Sequence, residues 1–151
     1  MKINKFDILT PAHWELLLDA DPAEKLVKEY TSRSTCFELR QNDELAGVIV
    51  LLPTRPETVE IMNLAVAKNF RGQKLAQTLL HYVLDWSKQS GFRRVEIGTG
   101  STGVQQLYLY QKCGFRMTHI EHDFFLHHYE EEIIENGLVL KDMVRLAQDL
   151  F

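Results

Sequence analysis

The stretch VEIMNLAVAKNFRGQKLAQTLLHYVLDWSKQSG, residues 59–91, changes its hydrophobic period halfway along. Its first part, which with the preceding Thr58 runs to Val66, alternates as a strand does, with Glu60, Met62, Leu64 and Val66 assigned to one face by period two. From Arg71 the pattern turns helical. Leu75, Leu79, Val83 and Trp86, flanked by Ala76, Leu80 and Leu84, form a broad stripe, and Gly91 is placed to end it. The junction is FRGQKLAQ, Phe70 to Gln77. A tight strand-to-helix loop aims the unpaired N–H groups and positive dipole end of the helix at whatever lies in front, which favours an anion. Gly72 lets the backbone approach a phosphate closely, and Arg71 and Lys74 add positive charge. An ordinary turn with a solvated basic first turn is the competing explanation.

Outward from this stretch the chain alternates element types. Lys2 to Leu9 reads as an edge strand. Thr10-Pro11 predicts one short helix, and Asp21-Pro22, with Glu24 completing a capping box, predicts a second. STCFELRQ, the turn Asn42-Asp43 and LAGVIVLLP form a hairpin. Downstream, FRRVEI is a strand, VQQLYLYQKC a helix stopped by Gly114, and FRMTHIEHDFFL a long strand. Asn136-Gly137 suggests another hairpin turn, and LVLKDMVRLAQDL, of mixed periodicity, is taken as a final strand. The order β-α-α-β-β-β-α-β-α-β plus a closing strand predicts a mixed α/β sheet in one domain, residues 1–151.

Composition narrows the partners. A net charge of −4 and a pI near 5.9 argue against nucleic acid or an anionic membrane surface. Cys36 and Cys113 are lone thiols in a chain without an N-terminal apolar segment, so a cytoplasmic location with reduced cysteines is expected, and neither a disulfide framework nor a zinc site.

Taken together, VEIMNLAVAKNFRGQKLAQTLLHYVLDWSKQSG, the strand after it and LYLYQKCGF resemble the GNAT superfamily of N-acetyltransferases. The resemblance covers nearly the whole chain and implies a mixed central sheet of about six to seven strands flanked by about four helices. It implies transfer of an acetyl group from acetyl-CoA to a primary amine of a small molecule or peptide, by direct attack. Within the family signature Arg/Gln-x-x-Gly-x-Gly/Ala, Arg71 fills the first position and Ala76 the last, whereas Lys74 stands where the internal glycine belongs. By this resemblance the amides of Arg71, Gly72, Gln73, Lys74, Leu75 and Ala76 bind the pyrophosphate. The main chain of Leu64, Ala65 and Val66 pairs with the pantetheine arm like an added strand.

The resemblance also assigns chemistry. Tyr110, four residues before Gly114, takes the place of a tyrosine that donates to the departing thiolate; the alternative is an aromatic core anchor. Glu60 stands where some members carry a general-base glutamate, and is otherwise a solvated strand carboxylate. His122, Asp123 and Tyr129 fall where the acceptor site is often shaped. No metal is expected: His119, Glu121 and Asp123 alternate on one strand face with His122 opposite, which suits a solvated face or acceptor wall better than a ligand set. Oligomeric state is open, a homodimer included.

Two other functions compete. One is a non-catalytic acyl-CoA-binding or sensing module on the same fold. The other comes from Gly98, Gly100 and Gly103, which spell G-x-G-x-x-G after a strand and before a helix, with Glu121 about twenty residues on. That pattern fits a Rossmann NAD site, and VEIGTG is similar to the nucleotide loop of S-adenosylmethionine-dependent methyltransferases. Both need several further βα units, and only one helix and one long strand follow before the tail.

Overall fold

A computed structural model describes all 151 residues. In chain order it contains β1 (Lys2–Phe6), α1 (Pro11–Ala20), α2 (Glu24–Thr31), β2 (Thr35–Gln41), β3 (Glu44–Arg55) and β4 (Thr58–Val66). A 3-10 turn at Lys68–Phe70 leads to α3 (Leu75–Gln89), β5 (Arg94–Gly100), α4 (Val104–Lys112) and β6 (Arg116–Glu121). Then come α5 (Phe124–His128), β7 (Ile134–Glu135), β8 (Leu138–Val139) and β9 (Met143–Asp149). Seven strands form one mixed sheet in the order β1-β2-β3-β4-β5-β9-β6, in which only β4 and β5 are parallel. No helix is long and apolar enough to cross a membrane.

The sheet separates two cores. Ile49 and Leu51 of β3 join α3 and α4 through Leu79, Leu80, Val83 and Phe115. Val48, Val50 and Leu52 face the other way, against Leu16 and Leu17 of α1 and Val27 and Tyr30 of α2. Turn chemistry is local and follows the sequence: Asn42 and Asp43, and later Asn136 and Gly137, all take positive φ, as two-residue hairpin turns of this hand require.

Several expectations shift. α2 starts at Glu24 with Ala23 as its cap, not at Asp21-Pro22. Asp21 instead closes α1, its N–H donating to the Leu17 carbonyl (3.0 Å), while its carboxylate is drawn to two tyrosine hydroxyls. α3 begins at Leu75 rather than Arg71, and β5 continues through Gly98 to Gly100 instead of ending at Ile97. The long strand after Gly114 stops at Glu121. Asp123 turns the chain with φ 60°, its N–H donating to Asp142 Oδ1 (2.9 Å), and α5 follows as a fifth helix. Asp123 therefore does not share a strand face with His119 and Glu121. The tail's strand period prevails because β9 is paired on both sides, by β5 and β6.

One shift matters most. Along β3, Val50 pairs with Asn63 and Leu51 with Ile61, so Met62 is an extra residue in β4. This bulge breaks the period-two alternation. Met62 and Ala65 pack with the α1/α2 core and Leu64 and Val66 with the α3/α4 core, so Glu60, Met62, Leu64 and Val66 do not share one face.

Candidate active site

The bulge marks the place where the sheet opens. β4 and β5 pair from Thr58↔Arg94 to Ile61↔Ile97 and no further, while β3 stays on β4 as far as Val66. Beyond Ile61 the β5-facing edge of β4 is therefore free, and a cleft of about 810 Å³ occupies the gap. Leu64, Ala65 and Val66 line it, as do Arg71 and Ala76 at one end and Glu60, Tyr110 and Tyr129 elsewhere.

At the helix end the backbone presents a bank of donors. The first helical bond of α3 runs from the Thr78 N–H to the Lys74 carbonyl (3.0 Å). The Arg71 N–H is taken by the Lys68 carbonyl (3.3 Å), but the amides from Gly72 through Gln77 meet no acceptor in the protein. That arrangement fits the diphosphate of a nucleotide-like cofactor. Lys74 supplies the bend: it caps α3 at φ 59°, ψ 30°, the left-handed conformation that explains a glycine at this position of the motif. Leu75 buries its side chain in the core while its N–H is left without an acceptor in the protein. Arg71 is already engaged, Nε with the Val66 carbonyl (3.2 Å) and Nη2 with Asp19 Oδ2 (3.0 Å), so its role is to fasten the loop to β4 and α1.

Tyr110 lines the cleft from α4. Its ring is buried, edge-on to Phe115, and burial pushes its phenol up to about 12. The hydroxyl has no protein partner and is not closed off from the cleft, so it can donate to a ligand atom. Cys113 lies outside the cleft lining; burial raises its thiol, with Lys112 pulling the other way, which keeps it protonated and unreactive.

On the α1/α2 side two carboxylates stand out. Glu60 is half-buried, with Oε2 accepting from Arg145 Nη1 at 3.1 Å. Burial raises its carboxyl above the ordinary range; Arg145 opposes this, and the nearby Glu96 and Glu121 add to it. Asp21 accepts from the Tyr129 hydroxyl (2.9 Å), the Tyr30 hydroxyl (3.1 Å) and the Ala23 N–H (3.2 Å), joining the α1–α2 turn to the segment after α5. Asn63 extends this network, donating to Tyr30 (3.0 Å) and to the Leu17 carbonyl (3.0 Å), with its Oδ1 left buried and unpartnered. Burial raises both phenols, and the Asp21 charge adds to it, so both stay protonated donors.

Of the acceptor candidates, Tyr129 is in the cleft. His122 is 77% exposed beside Asp142 (3.6 Å), and Asp123 is an exposed helix cap; neither lines it. Gly98 and Gly100 are strand residues without positive φ, paired antiparallel to Arg145 and Met143, so they form no phosphate loop. Their missing side chains make room for β9 and its approach: a Cβ on Gly100 would lie 2.5 Å from Leu140 Cδ1. No group of three metal-ligating side chains converges. Sequence reasoning missed Asp21, Tyr30, Asn63 and Arg145. Only Asp21 left a trace, as the expected cap of α2, a residue that the fold uses to close α1 instead.

Residues 6–115 match the acetyltransferase (GNAT) family. YvbK of Bacillus subtilis, named an uncharacterized N-acetyltransferase, is 50% identical over 137 residues, 91% of this chain and 88% of its own. A Bacillus subtilis acetyltransferase solved in complex with CoA superposes with a TM-score of 0.96 at 46% identity, covering 99% of both chains. A GNAT family acetyltransferase from Elizabethkingia anophelis with acetyl-CoA bound gives 0.95 at 40% identity, over 99% of this chain and 97% of its own.

Proposed function

The chain belongs to the GNAT family and is an acetyl-CoA-dependent N-acetyltransferase, and on that premise we propose that it acetylates a primary amine of a small molecule or peptide by direct attack. The observation that carries this reading is the run of free amides from Gly72 to Gln77 beside the point where β4 leaves β5. Those amides take the pyrophosphate, and Lys74, without a carboxylate partner, adds a nearby cation. The open edge of β4 at Leu64, Ala65 and Val66 receives the pantetheine arm. Acetyl-CoA supplies a thioester whose carbonyl carbon accepts the amine and whose C–S bond then breaks.

Each protein group has a distinct task. Glu60, with Oε1 free and Oε2 held, takes the proton that the amine must lose, directly or through water. Tyr110 donates a hydrogen bond to the departing sulfur. A phenol near 12 is roughly 3 pH units weaker as an acid than an ordinary thiol, so this bond stabilises the thiolate without transferring the proton outright. The acceptor enters from the α1/α2 side, where Asp21 and Tyr129 line the cleft. Asp21 has neutral partners only, which suits an acceptor carrying positive charge.

Thiol release from acetyl-CoA, followed with a panel of amines, tests the reading. At least one amine should support turnover, and Tyr110→Phe should lower it about 10- to 100-fold without loss of CoA binding. CoA should raise the melting temperature while NAD and S-adenosylmethionine leave it unchanged. Tight CoA binding with no release on any amine would overturn the proposal.

A further inference from the structure

Gly98 stands directly opposite Arg145 across the β5–β9 ladder. A Cβ there would lie 2.9 Å from Arg145 Nη1 and 2.7 Å from Met143 Sδ, closer than real Cβ atoms come. With no side chain in the way, Arg145 passes over β5 and reaches Glu60 on the strand beyond, Nη1 to Oε2, 3.1 Å. Its Nε donates to Glu121 Oε1 of β6 (2.6 Å), and the guanidinium sits 5.6 Å from the centre of the Phe124 ring on α5. The group is thus held from three elements, and its remaining reach is spent on one oxygen of one cleft carboxylate.

The surroundings of Glu60 make that contact decisive. On β5 stands Glu96, and the two arginines near it, Arg55 of β3 and Arg94 of β5, are committed to its Oε2. On β6 stands Glu121, with His119 4.0 Å from it. Across the cleft are Asp21 and the hydroxyls of Tyr30 and Tyr129. Arg145 is the cation in contact with Glu60. We propose that Arg145, passing over the side-chain-free Gly98, is the positioning residue that keeps Glu60 ionised with its free oxygen turned to the cleft. This rests on the reading of Glu60 as the base. Glycine at position 98 then serves an arginine and a carboxylate rather than a nucleotide phosphate. Burial, with Glu96 and Glu121 adding to it, raises the Glu60 carboxyl on balance, and the charge and hydrogen bond of Arg145 oppose that rise.

Carbon-13 NMR of protein labelled at the glutamate Cδ tests this without an acceptor. The Glu60 carboxyl is assigned by the resonance lost in Glu60→Gln. In Arg145→Gln its titration midpoint should rise by about one pH unit or more, with Arg145→Lys in between. Gly98→Ala, which displaces the guanidinium and leaves its charge present, should raise it by less. CoA thermal shift confirms that each variant is folded. With an amine found active in the thiol-release panel, the acid limb of kcat/KM should move with the same midpoint. A Glu60 midpoint unchanged in all three variants overturns the role of Arg145. Glu60→Gln turning over at the wild-type rate overturns instead the reading of Glu60 as base, and the two failures are separable.

Discussion

Two carboxylates of this sheet, Glu38 and Glu60, meet the same chemistry and come out opposite. Glu38 of β2 lies against α1, where His13 Nε2 contacts Oε1 at 2.8 Å and Arg40 pairs with Oε2. Burial works to raise its carboxyl, but hydrogen bonds and charge from Arg40 and His13 outweigh burial and hold it below the ordinary range. Glu60 has one oxygen engaged by Arg145, the other free, and two carboxylates nearby, so burial prevails and its carboxyl is raised. Full satisfaction makes Glu38 a structural brace. Incomplete satisfaction at the rim of a cleft leaves Glu60 able to take a proton.

The contrast breaks or holds on substitutions. Glu60→Gln should lower kcat/KM about 100- to 10,000-fold with little change in fold stability, read by thiol release and urea unfolding. His13→Ala should do the reverse. His13 is 2% exposed, stacked on Phe6 at 4.2 Å and bonded to Thr10 and Glu38, so its loss should cost about 2–4 kcal/mol of unfolding free energy with turnover retained.

Acid should separate the pair further. A lowered folded value means that Glu38 stabilises the protein above its unfolded value and that this is lost as pH falls through the folded one. The stability penalty of Glu38→Gln should therefore be complete at neutral pH and fade on acidification. Glu60 is raised, so its contribution is present below its unfolded value and lost as pH rises through the folded value. The Glu60→Gln variant should compare most favourably with wild type at neutral pH, an advantage that shrinks in acid. Urea midpoints across the pH range decide both signs.

The smallest effect concerns the loop. Lys74→Gly removes the cost of a left-handed lysine and should stabilise the fold by about 0.5–1 kcal/mol, read in the same unfolding assay. CoA should bind more weakly as a cation beside the diphosphate is lost.

What could be read from the sequence was what adjacent residues decide. Thr10-Pro11 starts α1, Gly114 (φ 99°) follows α4, and the Asn42-Asp43 and Asn136-Gly137 turns set two hairpins. The strand-to-helix change at Arg71 located the amide bank, because a helix start advertises itself locally. Features that depend on distant neighbours stayed hidden. The Met62 bulge exists only against β3, the course of Gly98 only against β9, and Asp21 looked like a cap because the two tyrosines that claim it are 9 and 108 residues away. Arg145 lay in a tail whose period was ambiguous, and nothing near it in sequence announces Glu60.

A crystal structure with bound acetyl-CoA bears most directly on the whole account. The pyrophosphate should sit on the amides of residues 72–77, with the pantetheine arm along Leu64–Val66 and its sulfur within hydrogen-bonding reach of the Tyr110 hydroxyl. A diphosphate lodged against Gly98–Gly103, or a sulfur remote from Tyr110, would contradict it.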